Sequence, residues 1–331
     1  MPQVSVILPA FNAERTIARA VESMLAQTLT DIEVIVVDDG STDGTRQQLT
    51  TIDDDRLKVI DADHAGVAAA SNRAFQHATS QFIARMDADD YSYPTRLQRQ
   101  IDWLNENRQD VVGCQVQIVH RDGFSVASLQ RYERWINLET LSANQIMALR
   151  FVELPLVNPT ICARRKYFEH GYRDDHLPED YNLMLQAAEA GMTFGKVDDV
   201  LFDWTDSSGR LTRNDSRYSN EAFMECRRTN LMAGPLAGVG IVDVWGAGRT
   251  GKSWIRWLQS QQISVRRILD VDPKKIGHHI HGSPVIDCEA MLQSDGVPLI
   301  VAVGTDRIRQ RIWDHVDLRG HVPGVDTWFV A

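Results

Sequence analysis

Cysteine is scarce in this chain and never clustered: Cys114, Cys162, Cys226 and Cys288 stand far apart and form no C-x-x-C pair. Neither a zinc site nor a disulfide framework is indicated, and a reducing cytoplasm fits best. Positive charge is also in deficit, since 35 Lys and Arg against 45 Asp and Glu leave a formal net charge of −10. A general nucleic-acid binder needs a basic field to neutralise phosphates, so nucleic acid is not an expected partner. Any anionic substrate must instead be met by a local device such as a metal ion. Long hydrophobic runs are missing. The longest apolar stretch, Leu231 to Trp245, is broken by glycines and by Asp243, and it falls short of the roughly 20 residues that a spanning helix needs. The opening residues, MPQVSVILPAFN, lack the basic region and apolar stretch of a secretory signal.

What is present is an ordinary globular composition, 43% apolar and 24% charged over 331 residues. That length exceeds what one hydrophobic core usually serves, so two domains are expected. The first hundred residues alternate short continuous apolar runs with helix-period segments, the mark of buried parallel strands joined by crossover helices. VSVILP and IEVIVVDD read as the first two strands, and Ile17, Val21, Met24 and Leu25 give the intervening helix its apolar stripe. LKVID, the Ala-rich segment Val67 to Ala78 and FIARMD repeat the unit. Pro94 opens a further helix with Leu97, Ile101 and Leu104 on one face. Regularity weakens after Val119, and residues 120–215 mix strands, loops and one clear helix from Glu179 to Ala190. A helical segment at 217–232 leads into the linker AGPLAGVG, and a second α/β pattern follows. The expected organisation is thus a 1–232 domain, with a nucleotide-binding half at 1–119 and an acceptor half at 120–215, then a Rossmann-like domain at 233–331.

In open α/β sheets, ligands bind beyond the carboxyl ends of the strands. The residues that end these strands are acidic: Asp38 and Asp39 after the second, Asp87, Asp89 and Asp90 after FIARM. Carboxylates gathered at one sheet edge repel each other unless a cation or hydrogen-bond donors sit among them. Mg²⁺ or Mn²⁺ meets that need with one or two carboxylates plus substrate phosphates, which points to a nucleoside diphosphate. A lone D-x-D has a plainer reading as a solvated acidic turn.

The ordered set is more specific: PAFN after strand one, DDGSTDGT after strand two, DADD after the fourth and PEDYNL farther on. With GVAAASNRA, YPTRLQRQ, NPT at Asn158 to Thr160 and DWTDSSGRLTR, the chain resembles the family 2 glycosyltransferases of GT-A fold over about the first 215 residues. The resemblance implies a mixed, mostly parallel sheet and transfer of a sugar, with inversion, from a nucleotide-sugar donor of the UDP type. It places Pro9 and Phe11 beside the base and Asp39 on the base as hydrogen-bond acceptor. Asp87 falls on the ribose or sugar, and Asp89 on the Mn²⁺ or Mg²⁺ that bridges the diphosphate. Phe11 stands where the family often has Tyr, which keeps stacking and loses a hydroxyl. His64, Gly66 and Asn72 fall in the segment that lines the nucleotide pocket. Asp180 falls on the catalytic base, although an acid at a helix N-terminus has a purely structural reading as well. Trp204, Arg210 and Arg213 lie where arginines would clamp the diphosphate, or would simply be solvated. The implied acceptor is a bacterial surface glycan or a lipid-linked glycan, which puts the protein in the cytoplasm, peripherally associated with the inner membrane face.

GAGRTGKS, Gly246 to Ser253, fits two motifs at once: G-x-G-x-x-G for dinucleotides and the P-loop G-x-x-x-x-G-K-[ST]. Asp270 and Asp272, 19 and 21 residues after Gly251, fall where a ribose-binding acid would stand and favour the dinucleotide type. A second site built on Gly246, Gly248, Gly251, Asp270 and Asp272 resembles the nucleotide-sugar-binding domain of certain bacterial sugar acyltransferases. The alternative is a tight turn in a docking or homo-oligomerising domain. Two other functions share these features. A sugar nucleotidyltransferase would carry a Gly-rich, Arg-containing loop after strand one, where this chain has PAFNAE. A nucleotide-sugar sensor or scaffold would bind in both sites and release no nucleoside diphosphate. A nicotinamide oxidoreductase would need a substrate-domain His or Tyr motif that does not accompany the turn.

Overall fold

A computed structural model of the chain describes residues 1–120, 127–207, 209–291, 293–304 and 306–331. Residues 121–126 and Ser208 of the expected acceptor half, and Thr305 of LIVAVGT, lie outside the described residues. The chain packs as two compact units, Met1–Ala143 with Pro155–Cys226, and Asn144–Leu154 with Arg227–Ala331. The division therefore falls inside one helix, Asn220–Ala233, and the second unit also takes in an excursion from the middle of the first. Within that unit the excursion lies on Gly324, an added Cβ of which would stand 3.2 Å from the Ala148 nitrogen.

The first unit is built on β1 (Val4–Ala10), β2 (Ile32–Asp39), β3 (Leu57–Ala62), β4 (Phe82–Arg85), β5 (Tyr91–Ser92), β6 (Val111–His120), β7 (Cys162–Arg164) and β8 (Phe194–Asp206). They form one sheet in the order β3-β2-β1-β4-β7-β6-β8-β5. β1 and β2 are buried at every position, which is why their sequences read as unbroken apolar runs rather than alternating ones. The crossover helices bury the stripes expected of them: Ile17, Val21 and Met24 on one, Leu97, Ile101 and Leu104 on another. Register then decides what meets at the sheet edge. β1 pairs in parallel with β2 up to Ala10–Asp38 and with β4 up to Ile7–Arg85, and β2 pairs with β3 up to Asp39–Ala62. Pro9, Asp39 and the residues after Arg85 consequently share the carboxyl edge.

From β4 onward the sheet mixes directions. β7 runs antiparallel to both β4 and β6, β6 and β8 are parallel, and short β5 runs antiparallel along β8 at Tyr91–Asp203 and Ser92–Phe202. That last pairing carries the DADD segment to the end of β8. The irregular stretch between β6 and β7 is organised from inside by Lys196 of β8. Its buried ammonium donates to the Ile136 carbonyl, to Thr140 Oγ1 at 2.6 Å and to the Pro155 carbonyl at 2.9 Å, and burial pushes its pKa down to about 7. Buried Arg96 serves similarly, donating to the carbonyls of Pro159 and Arg85.

The second unit carries β9 (Ile241–Trp245), β10 (Ser264–Asp270), β11 (His279–Ile280), β12 (Ser283–Asp287), β13 (Leu299–Val301) and β14 (Thr327–Phe329). Their order is β11-β12-β10-β9-β13-β14, parallel except for β11. The order runs outward from β9 in both directions, as in a doubly wound Rossmann-type sheet. Among the described residues no helix is long and apolar enough to cross a membrane.

Candidate active site

At the carboxyl edge of the first sheet lies a cavity of about 510 Å³ lined by Pro9, Phe11, Asp39, His64, Gly66, Asp87 and Asp89, together with Arg210, Asp215 and Arg217. Eight of the residues singled out in the sequence, Arg210 among them, thus meet in one place. Phe11 is exposed and stacks on His64 with ring centroids 4.1 Å apart, which gives the mouth a flat aromatic surface. Asp39 is buried at the end of β2, and its carboxylate accepts the backbone N–H of Ala65 at 2.9 Å and of Gly66 at 2.8 Å. His64 Nδ1 lies 2.9 Å from the same carboxylate. Asp39 therefore fixes the turn 64–66, in which Gly66 holds φ +91°, a conformation that a side chain would strain. Oδ1, which accepts only the Ala65 N–H, keeps a lone pair for a further donor.

Asn72 is placed differently. Its side chain pairs with the Tyr172 backbone, donating to the carbonyl at 2.7 Å and accepting the N–H at 2.9 Å, and it does not line the cavity. What sequence reading took as a pocket residue clamps the chain just ahead of the Asp180 helix.

Asp87, Asp89 and Asp90 each bring a carboxylate oxygen within 4.8 Å of the others. Thr205 at the end of β8 locks this turn, its N–H donating to Asp90 Oδ1 and its hydroxyl to the Asp89 carbonyl, both at 2.7 Å. The other oxygen of Asp90 is buried with no hydrogen-bond partner among the described residues. Burial, then the charges of Asp89 and Asp87, push the Asp90 carboxyl well above its ordinary range. An orphaned buried oxygen between two further acids fits a hard divalent cation, which would supply the missing positive charge. Behind them Arg85, wholly buried, pairs with Asp87 at 2.8 Å.

Asp180 opens the helix Glu179–Glu189 and accepts the N–H of Tyr181 at 2.7 Å. It does not line the cavity itself and is half-buried, with its carboxyl within electrostatic reach of Asp87. Burial, then the charge of Glu179, raise its pKa to about 8. Glu179 is held in place by the Tyr218 hydroxyl, 2.7 and 2.8 Å from its two oxygens.

The arginines divide. Arg210 lines the cavity and lies over the Trp204 ring at 4.1 Å. Arg213 does not line it and is taken up by Asp206 at 2.7 and 2.8 Å. Arg217, not picked out in the sequence, lines it and is held by Asp215 at 2.7 Å. Nothing local marks Arg217 apart from its neighbours in a charged helical segment. Asp90 did carry a signal, since it completes the D-x-D-D run.

In the second unit, Gly246, Gly248 and Asp270 line a separate cavity, while Gly251 and Asp272 do not. Asp270 accepts the Ala247 N–H at 2.7 Å, and Asp272 caps Lys274 at 3.0 Å.

Comparison with known proteins places this arrangement. The family model described as Glycosyl transferase family 2 matches residues 5–171, half of the chain and the half that supplies most of the cavity. The chain belongs to glycosyl transferase family 2. Its relatives in that family include the putative glycosyltransferase EpsE of Bacillus subtilis, 32% identical over 70% of this chain and 84% of that one. Another, from Escherichia coli, is the UDP-Glc:alpha-D-GlcNAc-diphosphoundecaprenol beta-1,3-glucosyltransferase WfgD, 39% identical over 31% of this chain and 42% of that one. Among solved structures, S. aureus TarS 1–349 in complex with UDP-GlcNAc superposes with a TM-score of 0.56 at 22% identity, covering 71% of this chain and 67% of that one. The mannosyltransferase PcManGT of Pyrobaculum calidifontis, solved with GDP-Man and Mn²⁺, gives 0.50 at 20% identity over 72% and 76%. The family 2 chain thus has the GT-A fold expected of it and is a glycosyltransferase, which sets aside the nucleotidyltransferase and scaffold alternatives.

Proposed function

We propose that this family 2 glycosyltransferase moves a sugar from a nucleoside diphosphate sugar of the UDP type to a hydroxyl of a glycan or lipid-linked glycan, with inversion and with Mn²⁺ or Mg²⁺. The carrying observation is that one cavity is bounded by the aromatic mouth, by Asp87 and Asp89 of the acidic trio and by two arginines, with Asp180 beside its Asp87 wall. Phe11 and Pro9 receive the base and Asp39 accepts its N–H. Asp87 meets the ribose or sugar. Asp89, with Asp87 and Asp90 beside it, would hold the divalent ion, which when bound offsets the charge of the diphosphate. Arg210 and Arg217 face the same anion.

The acceptor oxygen attacks the anomeric carbon as the bond to the diphosphate breaks, and the hydroxyl proton passes to the Asp180 carboxylate. A carboxylate with pKa raised to about 8 is a far better proton acceptor than an ordinary one, so the enclosed position suits this step. The name of the Escherichia coli relative, with its diphosphoundecaprenol acceptor, supports a lipid-linked acceptor and a place at the inner membrane face. The test is release of nucleoside diphosphate from a panel of nucleotide sugars with lipid-linked acceptors, with and without Mn²⁺. Release that is equal in EDTA would reject the metal, and transfer from none of the donors would reject the substrate class.

A further inference from the structure

The Gly-rich turn of the second unit takes no part in this chemistry, and a cavity of about 550 Å³ opens beside it. Trp245, Asp270 and Ala302 line it at the carboxyl ends of β9, β10 and β13. β9 is the strand from which the order runs outward on both sides, and such a switch point is where open parallel sheets bind ligands.

Independent features give the cavity a chemistry. Arg249 and Arg311 line it, both are exposed, and neither forms an ion pair or side-chain hydrogen bond among the described residues. The other charges there are paired, Lys275 with Asp270 at 3.2 Å and Glu289 with Arg319 at 3.4 Å. Two arginines lining one cavity, neither paired with its acids among the described residues, ask for an anion carrying more than one charge. The helix Arg249–Ser260, whose first two residues line the cavity, starts at Gly248 with no side-chain cap, so its first N–H groups remain available. An apolar wall completes the cavity: Val271 is 71% exposed and Ile308 44%, and both line it. Inorganic phosphate would leave that wall bare, and an apolar ligand would leave the arginines unanswered. A nucleotide uses both.

The turn also decides between its two motif readings. A Cβ on Gly251 would fall 1.7 Å from the Gly246 carbonyl oxygen, so the helix is pressed against the strand end and no loop is left to wrap a triphosphate. Lys252 and Ser253, which a P-loop turns toward phosphate and metal, do not line the cavity. Gly248 has nothing within 4 Å of an added Cβ and borders open space. Asp270 is spent on holding the turn through Ala247 and Asp272.

We infer that the second unit binds a nucleotide through its diphosphate, without a metal ion, between Arg249 and Arg311 and with the base on Val271 and Ile308. This site does not rest on the transferase reading above. It is tested on the full chain in EDTA by calorimetric titration with ADP, UDP and inorganic pyrophosphate. Binding of one nucleotide per chain is expected to survive EDTA and Asp89→Ala, and to weaken about tenfold in Arg249→Ala and again in Arg311→Ala. The ligand-free melting temperature should stay unchanged, and Arg249→Gln and Arg311→Gln repeat the titration if an alanine variant melts lower. No metal-independent binding at millimolar nucleotide overturns the proposal, as does an affinity indifferent to both arginines. Pyrophosphate binding as tight as either nucleotide overturns the base contact.

Discussion

The two units place a cavity at the same location, the carboxyl edge of a parallel sheet beside a glycine turn, and furnish it with opposite charge. In the first the strand-end residues are Asp39, Asp87, Asp89 and Asp90, and Arg85 is buried behind Asp87. In the second, Asp270 at the end of β10 is consumed by backbone N–H groups and Lys275, Asp287 at the end of β12 accepts the Glu289 N–H and does not line the cavity, and Arg249 and Arg311 line the opening. An acidic edge receives a diphosphate only with a cation between them, whereas a basic edge receives it directly. On the two proposals, one architecture serves a metal-dependent site for chemistry and a metal-free site for binding, and the difference lies in which residues end the strands and stand in the helices after them.

The sharpest way to break this contrast is at the first cleft's chemical end. Asp180→Asn should keep donor binding and lower kcat by about 10² to 10⁴; retained turnover in a single-turnover assay removes Asp180 from the role of base. Next in size, Asp89→Ala should abolish the Mn²⁺-dependent stabilisation by UDP, which for wild type is about 2.7 kcal/mol at a hundredfold excess over Kd. A thermal-shift titration reads this directly, and an undiminished shift ends the metal assignment. The arginines of the second cleft follow, with the tenfold losses in EDTA given above. The smallest effect concerns pH. Asp180 must be ionised to accept a proton, so kcat should rise with pH through the region of its raised pKa, about 8. Glu179→Gln removes the neighbouring charge that helps to raise it, so the acid limb of the profile should move to lower pH. A limb that stays in place would mean that another group controls it.

Much of the first half was legible because its determinants are local. Buried parallel strands announce themselves as apolar runs such as IEVIVVDD, and crossover helices by stripes such as Leu97, Ile101 and Leu104. The residues that end such strands must lie at one edge, so Asp39, Asp87 and Asp89 could be singled out without knowing the sheet, whereas Pro9 and Phe11 came from the family resemblance. Beyond β6 that logic fails. β7 and β6 pair antiparallel, β5 pairs with β8 across more than a hundred residues of chain, and the loops between hang on Lys196 and Arg96 rather than on any periodic pattern. Asn72 shows the same limit at one residue: its place near the pocket segment was readable, its pairing with Tyr172 was not.

By itself the sequence determined the α/β class, the family and the acidic strand ends, since these follow from hydrophobic period and from residue type at the chain's own turning points. Only the tertiary structure decided which arginines line the cleft, Arg210 and Arg217 rather than Arg213: Arg210 and Arg213 both approach Asp206, yet only the first borders the cavity. It decided, too, that the second glycine turn is closed against its strand and that Arg249 and Arg311 have no ion-pair partner among the described residues. Motif spacing cannot report this, because steric closure and ion pairing are settled by residues far apart in the chain.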